Sequence, residues 1–205
     1  SSLFPKKKHL WIFGAWKGES FCDNSKYFFK YMIQNHPEVK SVWITRNNSV
    51  YKYLKENSLP VEFYGSLKGI WLHVRASVAV MNNGKYDLNR NFLSSRTKMV
   101  QLWHGIPLKK IAYDTYIGEV YDSYIKYLFF LPSFKDLLRF DMVISTSEFM
   151  TDRFMTAFRL KKQYLPVTGY PRNDIFYDLK NSNNTDRNKT YKVLYAPTHR
   201  NDGLN

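Results

Sequence analysis

Cysteine is almost missing from this chain. Cys22 is the single thiol in 205 residues, which excludes an internal disulfide and a cysteine-based zinc site and fits a reducing compartment. Long apolar runs are missing as well. No stretch reaches the roughly 18 to 20 apolar residues of a membrane-spanning helix, and residues 1–8 lack the apolar segment and cleavage site of a secretion signal, so the expected location is cytoplasmic. No Gly-x-Gly-x-x-Gly follows the first apolar run, where residues 14–18 read Gly-Ala-Trp-Lys-Gly, and there is no P-loop. Ordinary dinucleotide and nucleoside triphosphate chemistry therefore lose support. No Asp-x-Asp pair occurs, so neither a tightly held divalent metal nor any other cofactor is expected. Acidic residues are scarce, 17 against 31 lysines and arginines, and the net charge of +14 calls for an anionic partner: nucleic acid, an acidic membrane face or a phosphate-rich substrate.

What is present describes a folded α/β protein. With 44% hydrophobic and 18% aromatic residues a sizeable core can form. Short apolar runs at 9–13, 41–44, 61–64, 77–81, 99–102, 142–144 and 164–167 read as strands. Amphipathic stretches at 25–34, 50–56, 66–74 and 148–158 read as helices between them. This alternation predicts βαβ crossovers around a parallel, Rossmann-like sheet. After Tyr177 the character changes: residues 181–190 are polar and read as a linker, and 191–198 read as another strand. The expected organisation is a Rossmann-like domain over 1–178, a linker over 179–190 and the start of a truncated second domain over 191–205. The missing initial methionine fits an excised piece of a longer chain.

Four strand ends carry chemistry. Trp103-His104-Gly105-Ile106-Pro107-Leu108-Lys109-Lys110 places a histidine between a strand and a Gly/Pro turn, with two ammonium groups beyond it suited to phosphate. In open α/β sheets ligands bind at that carboxyl edge. Residues 142–148 lead a strand into Ser145 and Ser147 at the start of a helix, where hydroxyls and free N–H groups either cap the helix or hold a phosphate. Residues 167–174 end in Arg172 and Asp174, read either as a surface ion pair or as a guanidinium for an anionic substrate. Residues 196–200 repeat the pattern with Thr198, His199 and Arg200.

These motifs, with Asp114, resemble the CDP-glycerol glycerophosphotransferase family, which includes teichoic acid polymerases, primases and capsule polymerases. The likeness spans residues 75–200 through Trp-His-Gly-x-Pro-Leu-Lys-Lys, Ser-Thr-Ser-Glu-Phe-Met-Thr-Asp-Arg-Phe, Gly-Tyr-Pro-Arg-Asn-Asp and Tyr-Ala-Pro-Thr-x-Arg. The resemblance implies the N-terminal, acceptor-side half of a GT-B architecture. It implies transfer of glycerol or ribitol phosphate from a CDP-activated donor to a lipid-linked or polymeric hydroxyl at the inner membrane face. His104 would be the catalytic base. Lys109, Asp114, Arg172, Asp174, Thr198 and Arg200 would bind substrate, with Ser145 and Ser147 as phosphate ligands. Ile106 stands where the family commonly has threonine and His199 where it commonly has tryptophan. A fragment lacking the second domain is expected to be inactive alone.

Further readings complete the expectations. Residues 121–140, rich in aromatics and lysines, are either a helix lying on an anionic membrane or a buried hairpin. His9, His36 and His73 read as structural or surface groups, and Asn82-Asn83-Gly84-Lys85 as shaping the acceptor side of the cleft. Two alternatives stand beside the transferase: a basic, aromatic-rich nucleic-acid-binding module, and a non-catalytic acceptor- or membrane-binding domain. The first is opposed by charge spread along the chain without an RNP motif or basic helix.

Overall fold

Six parallel strands form one sheet in the order β3-β2-β1-β4-β5-β6 in a computed structural model that describes residues 4–115, 139–181 and 194, with side chains described up to Tyr177 and at Leu194. The strands are β1 (Lys7–Phe13), β2 (Lys40–Thr45), β3 (Val61–Phe63), β4 (Ala76–Met81), β5 (Lys98–Gln101) and β6 (Met142–Val143). The helices are α1 (Asp23–Asn35), α2 (Asn48–Glu56), α3 (Leu67–Arg75), α4 (Glu148–Phe158) and α5 (Asp174–Asn181). The expected Rossmann-like sheet is therefore present. Its order reverses between β1 and β4, the switch point at which such sheets open a crevice.

Alternation along the strands builds both faces of the core. Ile12 and Phe13 are neighbours in β1 and both fully buried, yet Ile12 packs with Ile44, Ala79 and Met81, whereas Phe13 packs with Trp43, Val80 and Leu102. The first face is covered by Leu72 of α3 and by Met150, Phe154 and Phe158 of α4; the second by Phe29 and Met32 of α1 and Leu54 of α2. Helix starts follow capping chemistry. Asn47, Ser66 and Ser147 accept from the N–H groups of Ser49 and Val50, of Gly69, and of Met150 respectively.

One expected strand fails. Residues 164–167 give a 3-10 turn over Lys162–Tyr164 and a single bridge between Ser145 and Val167. Pro166 has no N–H to extend a ladder, and its carbonyl accepts only from the Ser145 N–H, at 2.9 Å. The chain divides into one compact unit over Ser1–Asp174 and a second over Ile175–Asn205. The expected linker beyond Asn181, the strand at 191–198 apart from Leu194, and the aromatic segment before Arg139 lie outside the described residues.

Candidate functional site

Three loops meet at the carboxyl edge beside the switch point, and a buried carboxylate stitches two of them. Asp87 Oδ1 accepts from Lys17 N–H at 2.7 Å, in the loop after β1. Asp87 Oδ2 accepts from Asn82 and Asn83 N–H at 2.8 and 2.7 Å, in the loop after β4. Burial pushes the Asp87 carboxyl above the usual range, against the pull of these three donors and of the His104 imidazole. The close approach dictates Gly14: a Cβ there would lie 2.4 Å from the Asp87 carbonyl oxygen. In dinucleotide-binding folds the N–H groups of this first loop turn toward a pyrophosphate. Here the Lys17 N–H is committed to Asp87.

His104 sits where its position in the sequence put it, just past β5, and its ring is partly exposed. Its Nδ1 lies 3.4 Å from the Asn82 carbonyl oxygen, a long contact. A carbonyl only accepts, so a neutral ring making this contact carries its proton on Nδ1 and has its lone pair on Nε2. The ring stacks on Trp103 at 4.4 Å and 29°, with Trp16 on another side at 5.9 Å. Trp103 has φ 55°, a left-handed backbone that strains a bulky residue, and two things hold it there. Asn24 Nδ2 donates to the Leu102 and Trp103 carbonyls at 3.3 and 2.8 Å. Phe154 and Phe158 of α4 meet the indole edge-on at 5.8 and 5.4 Å.

Arg172 approaches the same edge from the last loop of this unit. Its Nη1 donates to Asp23 Oδ1 at 2.6 Å and its backbone N–H to Asn24 Oδ1 at 3.3 Å. The ion pair that forms is thus with the first residue of α1 and not with Asp174, which is exposed at the start of α5. Asp23 Oδ2 also accepts from the Trp16 indole at 3.3 Å, so Trp16 and Asp23 link His104 to Arg172. Tyr170 ties the loops a second time, donating to the Gly105 carbonyl at 2.8 Å. Burial pushes its phenol up to about 12, which keeps the hydroxyl protonated.

Other expected residues lie elsewhere. Lys109 and Asp114 line a cleft of about 520 Å³ against α4, and neither His104 nor Arg172 lines it. The Ser145 hydroxyl is buried, 2.6 Å from that of Thr151, and Ser147 caps α4. Asn82, expected to shape the acceptor side, contacts His104 through its carbonyl and accepts from Ser25 through Oδ1. His9 lies within β1, exposed; His36 is half-buried beside Glu38; His73 is fully buried. Thr198, His199 and Arg200 fall outside the described residues. Among the described residues no group of three or more His, Cys, Asp or Glu is placed to hold a metal.

Asp87, Asp23, Asn24 and Trp16 were not foreseen from the sequence. Asp23-Asn24-Ser25 carried a faint signal, being a polar cluster at a helix start, but nothing around Asp87 marks it as a structural bridge.

The pattern of a family described as CDP-glycerol:poly(glycerophosphate) glycerophosphotransferase matches residues 1–205. The chain is 31% identical over 212 residues to a teichoic acid poly(glycerol phosphate) polymerase of Bacillus subtilis (strain 168), covering 98% of this chain and 28% of that protein. It is 28% identical over 207 residues to a teichoic acid glycerol-phosphate transferase of Staphylococcus aureus, covering 95% of this chain and 51% of that protein. It thus spans about half or less of the length of these relatives. Among solved structures, the wall teichoic acid polymerase TagF aligns with a TM-score of 0.64 at 24% identity, over 84% of this chain and 41% of that one. The same polymerase soaked with CDPG aligns with a TM-score of 0.64 over 87% and 44%. At that identity the likeness establishes the fold alone.

Proposed function

The chain belongs to the CDP-glycerol:poly(glycerophosphate) glycerophosphotransferase family, and from that membership we propose what it does. The protein carrying it transfers glycerol phosphate, or a related polyol phosphate, from a CDP-activated donor to a hydroxyl of a teichoic-acid-like or capsular polymer, releasing CMP. The observation that carries the reading is His104: a partly exposed imidazole at the switch-point edge, with Nδ1–H turned to the Asn82 carbonyl and Nε2 left as the basic atom.

The chemistry follows from that tautomer. The acceptor hydroxyl gives its proton to Nε2 as its oxygen attacks the β-phosphorus. The new O–P bond forms while the bond from that phosphorus to the bridging oxygen breaks, and CMP leaves with that oxygen. Charge on the phosphoryl oxygens is met by guanidinium and ammonium groups rather than by a tightly held metal. Arg172 is suited to this because Asp23 takes one of its N–H groups and leaves others free to point at an anion. In this reading Lys109, Asp114, Asp174, Thr198 and Arg200 contact substrate, Ser145 and Ser147 border the phosphate site, and a lipid-linked acceptor puts the work at the inner membrane face.

The test is His104→Ala in the protein that carries this chain. Loss of a positioned base is expected to lower turnover of CDP-glycerol by about 100-fold or more, with the fold intact by circular dichroism. Normal turnover in the variant rejects the base assignment.

A further inference from the structure

The cleft beside α4 is built for a charged ligand: it holds Lys109 and Asp114, assigned above to substrate contact, but no step at the reacting phosphorus runs through it. Its walls are Pro107, Leu108, Ile111 and Tyr113 on one side and Phe149 of α4 on the other, with Lys109, Lys110 and Arg153 at its rim. The three cations form no ion pair among the described residues, and Lys109, Lys110 and Arg153 are exposed. One carboxylate, Asp114, reaches in, its Oδ2 accepting from the Thr156 hydroxyl at 2.7 Å. At about 520 Å³ the space falls within the range of small-molecule sites.

We infer that this cleft is a subsite for a non-reacting glycerol phosphate unit of the acceptor chain, an inference that rests on the transferase reading above. Three cations without an ion-pair partner among the described residues attract a phosphate group. Asp114 and Thr156 discriminate further, because a carboxylate repels bare phosphate but accepts from the free hydroxyls of a polyol. The apolar wall suits a short carbon backbone. A nucleotide fits less well: the Arg153 guanidinium lies 5.0 Å from the centroid of the Phe149 ring, the exposed aromatic of the cleft, and takes one of its faces from a base. The placement also suits an acceptor. Lys109 is five residues beyond His104, at most about 17 Å of extended chain, so a polymer end at Nε2 reaches the cleft with a preceding unit. Holding that unit aligns the terminal hydroxyl without touching the reacting phosphorus.

Two measurements test this. In the first, synthetic tri(glycerol phosphate), CMP and inorganic phosphate are titrated calorimetrically into the chain and into the double variant Lys110→Gln, Arg153→Gln, both positions being exposed. The trimer is expected to bind about tenfold more weakly to the variant, with Arg153→Lys and native Lys110 recovering most of the loss. Equal trimer binding to the variant, inorganic phosphate binding as tightly as the trimer, or CMP displacing the trimer each overturns the subsite. In the second, the protein carrying the chain is assayed with CDP-glycerol. The double variant is expected to raise the acceptor KM about tenfold and leave donor KM and kcat within about twofold; an unchanged acceptor KM overturns the subsite. The two readings fail separately. Variant-sensitive trimer binding without transfer from CDP-glycerol removes the transferase and leaves the cleft, whereas transfer with an unchanged acceptor KM removes the cleft alone.

Discussion

Residue by residue, the site depends on groups that spend their hydrogen bonds on the backbone. Asp87 gathers three N–H groups from two loops, and the Asn82 carbonyl next to two of those bonds sets the tautomer of His104. Asp87→Ala leaves three donors without a partner, and each buried unpaired donor costs about 1–3 kcal/mol. Denaturant unfolding is expected to show a loss on the order of 3 kcal/mol or more; a loss under about 1 kcal/mol would mean that water replaces the carboxylate without penalty. Asp23 ties the other side through side chains, dividing its oxygens between Arg172 and the Trp16 indole. His104 was visible in the sequence because its neighbours are a strand and a Gly/Pro turn. Asp87 was not, because its partners are backbone atoms up to 70 residues away.

At the scale of elements, α1 and α4 position the histidine from opposite faces of the sheet. The first turn of α1 grips the end of β5 through Asn24 and the loop after β4 through Ser25. Helix α4 supplies the aromatic socket for Trp103, whose left-handed backbone costs about 1–3 kcal/mol and persists only under such constraint. Phe154 is fully buried at the centre of that socket. Phe154→Ala is expected to destabilise the domain by about 3–5 kcal/mol, measured by urea denaturation, and to loosen the turn that carries His104. A cost near 1 kcal/mol would show that the socket collapses around the cavity and does not hold Trp103. Strand and helix positions were largely legible because periodicity reports burial directly. The run at 164–167 misled because only Leu165 of its apolar residues packs into the core while Tyr164 and Val167 are exposed, and Pro166 has no N–H to give to a ladder.

For the molecule as a whole, the reversal of strand order between β1 and β4 brings the loops after β1, β4 and β5 to one edge, where most of the polar network lies. Its stability is expected to depend on pH through a residue remote from chemistry. His73 is fully buried, with Nδ1–H donating to the Gly69 carbonyl at 2.7 Å and Nε2 accepting from Asn89 N–H at 2.9 Å, so neither nitrogen can take another proton without losing a bond. Burial lowers its pKa to about 4. A depressed folded value means that the native state binds fewer protons than the unfolded chain, whose histidine titrates near 6.5. Stability is therefore whole above about pH 6.5 and falls progressively as pH drops toward 4, by about 3 kcal/mol in total. Unfolding free energies measured between pH 7.5 and 4.5 should show that slope and should lose most of it in His73→Gln; an equal slope in the variant would assign the acid sensitivity to other groups.

The amino-acid sequence by itself determined the alternating parallel architecture, the helix start at Ser147, and the place of His104 at a strand's carboxyl end, since each depends on residues within a few positions of one another. Only the tertiary structure decided which loops meet. It paired Arg172 with Asp23 rather than with Asp174, stitched two loops through Asp87, and set Lys109 and Asp114 with Arg153 in a cleft apart from the imidazole. Contacts of that kind join residues roughly 40 to 150 positions apart, and no local pattern of hydrophobicity or charge encodes them.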